Sequence, residues 1–240
     1  MQVLISPTSL EEAEAVLAGG ADIIDIKNPA EGSLGASFPW VIRGVADLVR
    51  GRPVILSATL GDLPYKPGTA ALAALGAIQA GARYIKAGLY GTRDYGEALE
   101  VMSAVARTCR EVDPVLLPVA AGYADYRRFG GLDPLTIVRV AQDSGAAVVM
   151  LDTAVKDGTS LFDALSEAEI AGFLVAARAA GLATALAGSL RAGHLEALRR
   201  FGVDIIGIRG AVCRHGDRLT QIDAGLVKDF VAQARMPVAA

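Results

Sequence analysis

Ala21-Asp22-Ile23-Ile24-Asp25-Ile26-Lys27-Asn28-Pro29 is an apolar run that ends abruptly in a carboxylate and an amine ahead of a proline. In a strand the side chains alternate between two faces, so Asp25 and Lys27 project from one face and Ile24 and Ile26 from the other. Pro29 cannot donate to a ladder and closes the strand off. The same form recurs at Tyr84-Ile85-Lys86, and at Val148-Val149-Met150-Leu151-Asp152 with Lys156 following. An apolar strand with charge at its carboxyl end, repeated along a βα chain, is where barrel enzymes put their chemistry.

Outward from this stretch the rhythm holds in both directions. Strands are predicted at 2–6, 21–29, 53–57, 83–86, 115–119, 147–151, 182–187 and 204–208, although Pro118 implies a strand end or bulge in the fifth. The loops that follow the second, third and fourth of them are read as 28–37, 61–68 and 88–91. Helices fill the intervals: one over Glu11, Glu12 and Glu14, then 38–50, an Ala-rich one ending near Gly81, 94–111, one opened by Asp133-Pro134, 166–180, 190–201 and 223–234. Ser166 with Glu169 three residues later forms a capping signature, and Gly181 is a stop. Eight strands each followed by a helix must run parallel, and eight such units close into a (βα)8 TIM barrel. The rival, an open doubly wound sheet, would carry a G-x-G-x-x-G fingerprint after its first strand, and that is missing. With no linker-like composition anywhere, residues 1–240 are expected to form one catalytic domain.

Just over half the chain is apolar, enough for a large core, and a net charge of -3 gives no electrostatic reason to expect nucleic acid or an anionic membrane as partner. Cys109 and Cys213 lie far apart without zinc-ligand spacing, which reads as reduced thiols. No basic segment leads into a long apolar run, and no stretch reaches the ~18 apolar residues of a membrane helix. A soluble cytoplasmic protein is expected. Ala-rich helices with few charges on some faces point to a homo-oligomer.

Only five lysines occur against eighteen arginines, and three of the five, Lys27, Lys86 and Lys156, fall at or just beyond strand ends. Lysine can lose its proton and attack a carbonyl; guanidinium effectively cannot. These lysines come from the second, fourth and sixth strands, and layers inside a barrel are built from alternate strands, so the amines can converge. Crowding ammoniums in a partly desolvated mouth lowers the pKa of at least one, with Asp25 and Asp152 tempering the repulsion. The plainer alternative is a charge network that plugs the barrel end.

A second signal lies after the seventh and eighth strands, at Ala187-Gly188-Ser189-Leu190 and Gly207-Ile208-Arg209-Gly210. Glycines and backbone amides there are placed where barrels often hold a phosphate, and Arg209 is a candidate bidentate clamp. The plainer alternative is that Gly188 and Gly210 are turn glycines. His194 and His215 are too sparse for a metal site or a triad, and no metal or cofactor is called for. Tyr84 and Tyr90 flank Lys86 as candidate acid/base partners or, more plainly, as amphipathic wall residues, and Asp62, Asp157 and Asp163 read as loop solvation or caps.

The string Asp25-Ile26-Lys27-Asn28-Pro29-x-Glu31-Gly32-x-Leu34-Gly35, with Tyr84-Ile85-Lys86-Ala87-Gly88-Leu89 and Leu151-Asp152-Thr153-Ala154-x-Lys156-Asp157-Gly158, resembles the (5-formylfuran-3-yl)methyl phosphate synthase family over essentially the whole chain. The resemblance implies a barrel like that of class I aldolases. It also implies condensation of two molecules of glyceraldehyde 3-phosphate into 4-(hydroxymethyl)-2-furancarboxaldehyde phosphate with loss of phosphate and water, an early step toward the furan of methanofuran. Carried to matching positions, Lys27 would form a Schiff base and Lys86 accept a proton, with Asp25, Asp152 and Lys156 assisting. Two classes compete with this reading: another Schiff-base aldolase or isomerase acting on a sugar phosphate, and a non-catalytic barrel that binds a phosphometabolite.

Overall fold

The computed structural model describes residues 1–237. Eight strands, β1 (Gln2–Ile5), β2 (Ile23–Ile26), β3 (Ile55–Pro64), β4 (Tyr84–Gly91), β5 (Leu117–Tyr123), β6 (Val148–Asp152), β7 (Ala183–Leu186) and β8 (Ile205–Ile208), pair in chain order into a closed parallel barrel. Closure is by β1 on β8, from Gln2 opposite Ile205 to Ile5 opposite Ile208. Around it run α1 (Leu10–Ala18), α2 (Pro39–Val49), α3 (Pro67–Gln79), α4 (Tyr95–Val112), α5 (Pro134–Ser144), the single turn α6 (Leu161–Ala164), α7 (Glu167–Ala179), α8 (Leu195–Phe201) and α9 (Ala224–Ala234). The chain is a (βα)8 barrel. No helix among the described residues is long and apolar enough to cross a membrane.

Strand parity divides the core. Val3, Ile24, Ile26, Leu56, Ile85, Val149, Leu151 and Ile206 face outward and pack with the helices in one cluster, while Leu4, Ile23, Tyr84, Val119, Met150 and Ile205 fill the barrel in another. Each such Ile or Leu, fully buried, stabilises the fold by about 1.5–3 kcal/mol. Ile23 belongs to the packed interior, and two residues further up the same face Asp25 replaces hydrocarbon with charge. Local start signals seat the helices: Ser9 accepts from the Glu12 amide, Asp133 from the Leu135 and Thr136 amides, and Ser166 forms a reciprocal capping box with Glu169.

The strands β3 and β4 run well past their expected ends at Ser57 and Lys86, and absorb the first half of the segment read as a loop at 61–68 and the whole of that at 88–91. They stay paired above the rim, with register shifts on either side of Asp62. The glycines there are not turn glycines. A Cβ on Gly88 would lie 2.3 Å from Asp62 Oδ1, and one on Gly91 would lie 2.5 Å from the Leu63 carbonyl oxygen, so glycine marks close approach of neighbouring strands. Pro118 sits second in β5, near the start where a missing N–H is tolerated, and β5 begins and ends later than expected. The helix expected over 190–201 is broken into a 3-10 turn (Ala192–His194) and α8, and α6, closed by its own Ser160–Asp163 capping box, was not expected at all.

Candidate active site

At the carboxyl ends of the strands, Asp25 is buried and accepts hydrogen bonds from Ser57 Oγ at 2.6 Å and Ser6 Oγ at 3.2 Å. The pairing register explains this, since Asp25 lies opposite Ser57 on β3. Lys86, one level higher and opposite Thr59, reaches down to put Nζ 2.8 Å from Asp25 Oδ1, with both side chains 1% exposed. The contact is one of charge; Nζ has no well-aligned hydrogen-bond acceptor among the described residues. Burial alone would raise the Asp25 pKa, but the charges of Lys86 and then Lys27 outweigh it and hold the carboxyl below its usual range.

Asp152, at the end of β6, is shared by the other two lysines. Lys156 Nζ donates to Asp152 Oδ1 at 2.7 Å and to Thr153 Oγ1 at 3.2 Å, whereas Lys27 Nζ stands 3.9 Å from Oδ2. Despite burial, the pull of Lys156 and then Lys27, with the Thr153 amide, brings Asp152 down to about 2. Lys27 is left the least compensated amine. Burial, opposed by Asp152 and reinforced by Lys156, lowers its pKa from 10.5 to about 8. About a tenth of Lys27 is then free amine at pH 7. Three ammoniums against two carboxylates leave this buried group net positive, ready for an anion.

The loop after β2 forms a fastened cover. Asn28 caps a 3-10 turn (Pro29–Glu31) through the Ala30 amide, and its own N–H reaches the Gly35 carbonyl at 2.9 Å. Ser33 Oγ donates to the Thr153 carbonyl at 2.8 Å, Thr59 Oγ1 to the Gly35 carbonyl at 2.7 Å, and the Leu34 amide to Asp62 Oδ2 at 3.2 Å. Gly35 is obligatory here, because a Cβ would meet the Asn28 carbonyl oxygen at 2.1 Å. Asp62, expected to be a solvated loop residue, is instead half-buried, takes a hydrogen bond from Tyr123 Oη, and has its pKa raised by burial. Reading Gly61 as a strand glycine is the signal that would have found it.

A cavity of about 610 Å³ opens from Lys27, Asp152 and Lys156 toward the loops after β7 and β8, and Gly188, Ser189, Arg209 and Gly210 all line it. Arg209, however, is not free to clamp a ligand. Its Nη1 and Nη2 donate to Glu12 at 2.7 and 3.1 Å, Nη1 also to the Ser6 carbonyl at 2.9 Å, Nε to the Arg218 carbonyl at 2.9 Å and Nη2 to the Thr220 carbonyl at 3.4 Å. The expected clamp is therefore a brace between α1 and the β8 loop. Arg218, which the sequence reading passed over, also lines the cavity. His194 accepts the Arg191 amide and packs on Phe162, which removes it from the chemistry.

Residues 3–231 match the family model described as 4-HFC-P synthase. The chain belongs to that family. The (5-formylfuran-3-yl)methyl phosphate synthase of Methanothermobacter thermautotrophicus is 56% identical over 220 residues, 92% of each chain. That of Methanocaldococcus jannaschii is 50% identical over 231 residues, covering 96% of this chain and 98% of its own. This member of the 4-HFC-P synthase family is thus an enzyme, and its shape is shared far more widely. A 3-hexulose-6-phosphate synthase superimposes with a TM-score of 0.67 at 18% identity, covering 97% of this chain and 99% of that one, which speaks to the fold alone.

Proposed function

We propose that the enzyme condenses two molecules of glyceraldehyde 3-phosphate into 4-(hydroxymethyl)-2-furancarboxaldehyde phosphate, releasing one phosphate and two waters, as a step toward methanofuran. The observation that carries the chemistry is Lys27, a cavity-lining amine whose pKa falls to about 8 while its neighbours remain ion-paired. The Lys27 amine attacks a triose phosphate carbonyl, and loss of water gives an iminium. The iminium acidifies the adjacent C–H, whose proton passes to the Asp25–Lys86 pair. Asp25 lines the cavity and Lys86 stands behind it, so the pair acts as one proton acceptor. The resulting enamine attacks the second aldehyde. Lys156, held on Asp152, assists at the departing oxygens, and elimination of phosphate and water drives aromatisation. Protonated nitrogen is the electron sink throughout.

Borohydride added during incubation with glyceraldehyde 3-phosphate is expected to fix one triose phosphate on the wild-type chain by intact mass, and none on Lys27→Ala. In its absence, ultraviolet absorbance of a furan and inorganic phosphate should appear together. An undiminished adduct on Lys27→Ala would sink the Schiff-base assignment; an adduct without the furan chromophore would make the enzyme a simple aldolase or isomerase.

A further inference from the structure

Nine residues after the brace Arg209, the backbone returns to it: Arg209 Nε holds the Arg218 carbonyl, and a Cβ on Gly210 would lie 3.6 Å from the Arg218 Cβ. The Arg218 side chain is thereby anchored at its root on the cavity wall. Arg218 is partly exposed on the cavity wall, and no hydrogen bond or ion pair joins its guanidinium to any described residue. Arg209 beside it is bound to Glu12 and three carbonyls. A guanidinium on a cavity wall with none of its N–H groups committed to the protein can give them to a bound anion. Burial holds its pKa below the usual arginine value, opposed by Asp152 and reinforced by Arg209.

The walls around it point the same way. Among the described residues only two that are not glycine adopt positive φ, Ser189 at 47° and His215 at 57°, and both line this cavity. Such conformations are retained where the surroundings impose them, characteristically at ligand clamps. Gly188, with φ of 107°, abuts Thr153, where a Cβ would come within 2.8 Å of Thr153 Cγ2. The β7 loop is thus pressed against the end of the strand that carries Asp152.

We infer that Arg218, held in place by the Arg209–Glu12 brace, is the residue that binds a substrate phosphate monoester and makes the enzyme select phosphorylated over unphosphorylated trioses. The inference rests on the functional reading above for its substrate. A planar guanidinium offers a phosphate two parallel donors, which an ammonium cannot match.

Inorganic phosphate is the probe. Titrated calorimetrically, it should bind the wild-type chain, bind Arg218→Lys more weakly, and bind Arg218→Gln at least about tenfold more weakly, the worth of one charge-assisted hydrogen bond. The Michaelis constant for glyceraldehyde 3-phosphate should rise by a similar factor in Arg218→Gln. Borohydride trapping of unphosphorylated glyceraldehyde on Lys27 should be unchanged. The thermal midpoint should hold or rise in Arg218→Gln, because no internal bond is lost, whereas Arg209→Gln should lower it. Equal phosphate affinity in wild type and Arg218→Gln, or equal loss of trapping with both aldehydes, overturns the assignment. Absence of furan from the wild type, with the phosphate difference intact, would overturn the proposed reaction and leave the anion site standing.

Discussion

At the rim where the strands begin, Asp22 accepts the Val3 amide at 2.8 Å and an Arg235 guanidinium at 2.8 Å, and Asp204 accepts the Thr184 amide and hydroxyl at 2.8 and 2.7 Å. Each stands just before a strand, stitches its neighbour's start, and keeps contact with water. At the rim where the strands end, Asp25 and Asp152 are almost wholly buried, and their partners are three lysines that crowd one another. One rim uses carboxylates to satisfy backbone donors, which stabilises the barrel. The other holds charge away from water in an arrangement that only chemistry justifies, since ion pairs at such depth contribute little net stability.

Three experiments press on this contrast. Lys86→Met should abolish furan formation and cost about 3–5 kcal/mol in denaturant unfolding, because Asp25 is left buried opposite a thioether. Adding Asp25→Asn should restore most of that stability and none of the activity; activity surviving in either variant would place the proton acceptor elsewhere. Next in size is the pH profile. Free Lys27 amine is the nucleophile, so kcat/KM should climb about tenfold per unit below pH 8, where the ammonium dominates, and level off above it. A profile still climbing at pH 10 would mean that Lys27 titrates as an ordinary lysine. Smallest is Asp22→Ala, expected to lower stability by about 1 kcal/mol with turnover per folded molecule unaltered. A loss of turnover there would erase the distinction between the rims.

What the sequence alone makes legible is whatever depends on near neighbours. Alternation along 21–29 was enough to send Ile24 and Ile26 outward and Asp25 and Lys27 inward, and the Ser166–Glu169 spacing was enough to start a helix. Contacts decided across the barrel were not legible in this way. Whether Gly88 is a turn or a strand glycine depends on Asp62 and Tyr123 lying against it, from 26 and 35 residues away. Arg209 and Arg218 are the same residue type in one loop; only the presence of Glu12, folded back from α1, makes the first a brace and leaves the second open. The cover loop is the intermediate case. Its string from Asp25 to Gly35 was visible, while its anchorage on Thr153, Thr59 and Asp62 was not.

That anchorage sits over β3 and the end of β6, while the cavity draws its lining from β1, β2 and β6–β8 and the loops beyond. The vestibule is consequently lopsided, with most of its lining drawn from the loops after the last two strands. For the condensation proposed here, both trioses then share this one-sided space, the one joined to Lys27 against the strand ends and the second against the loops.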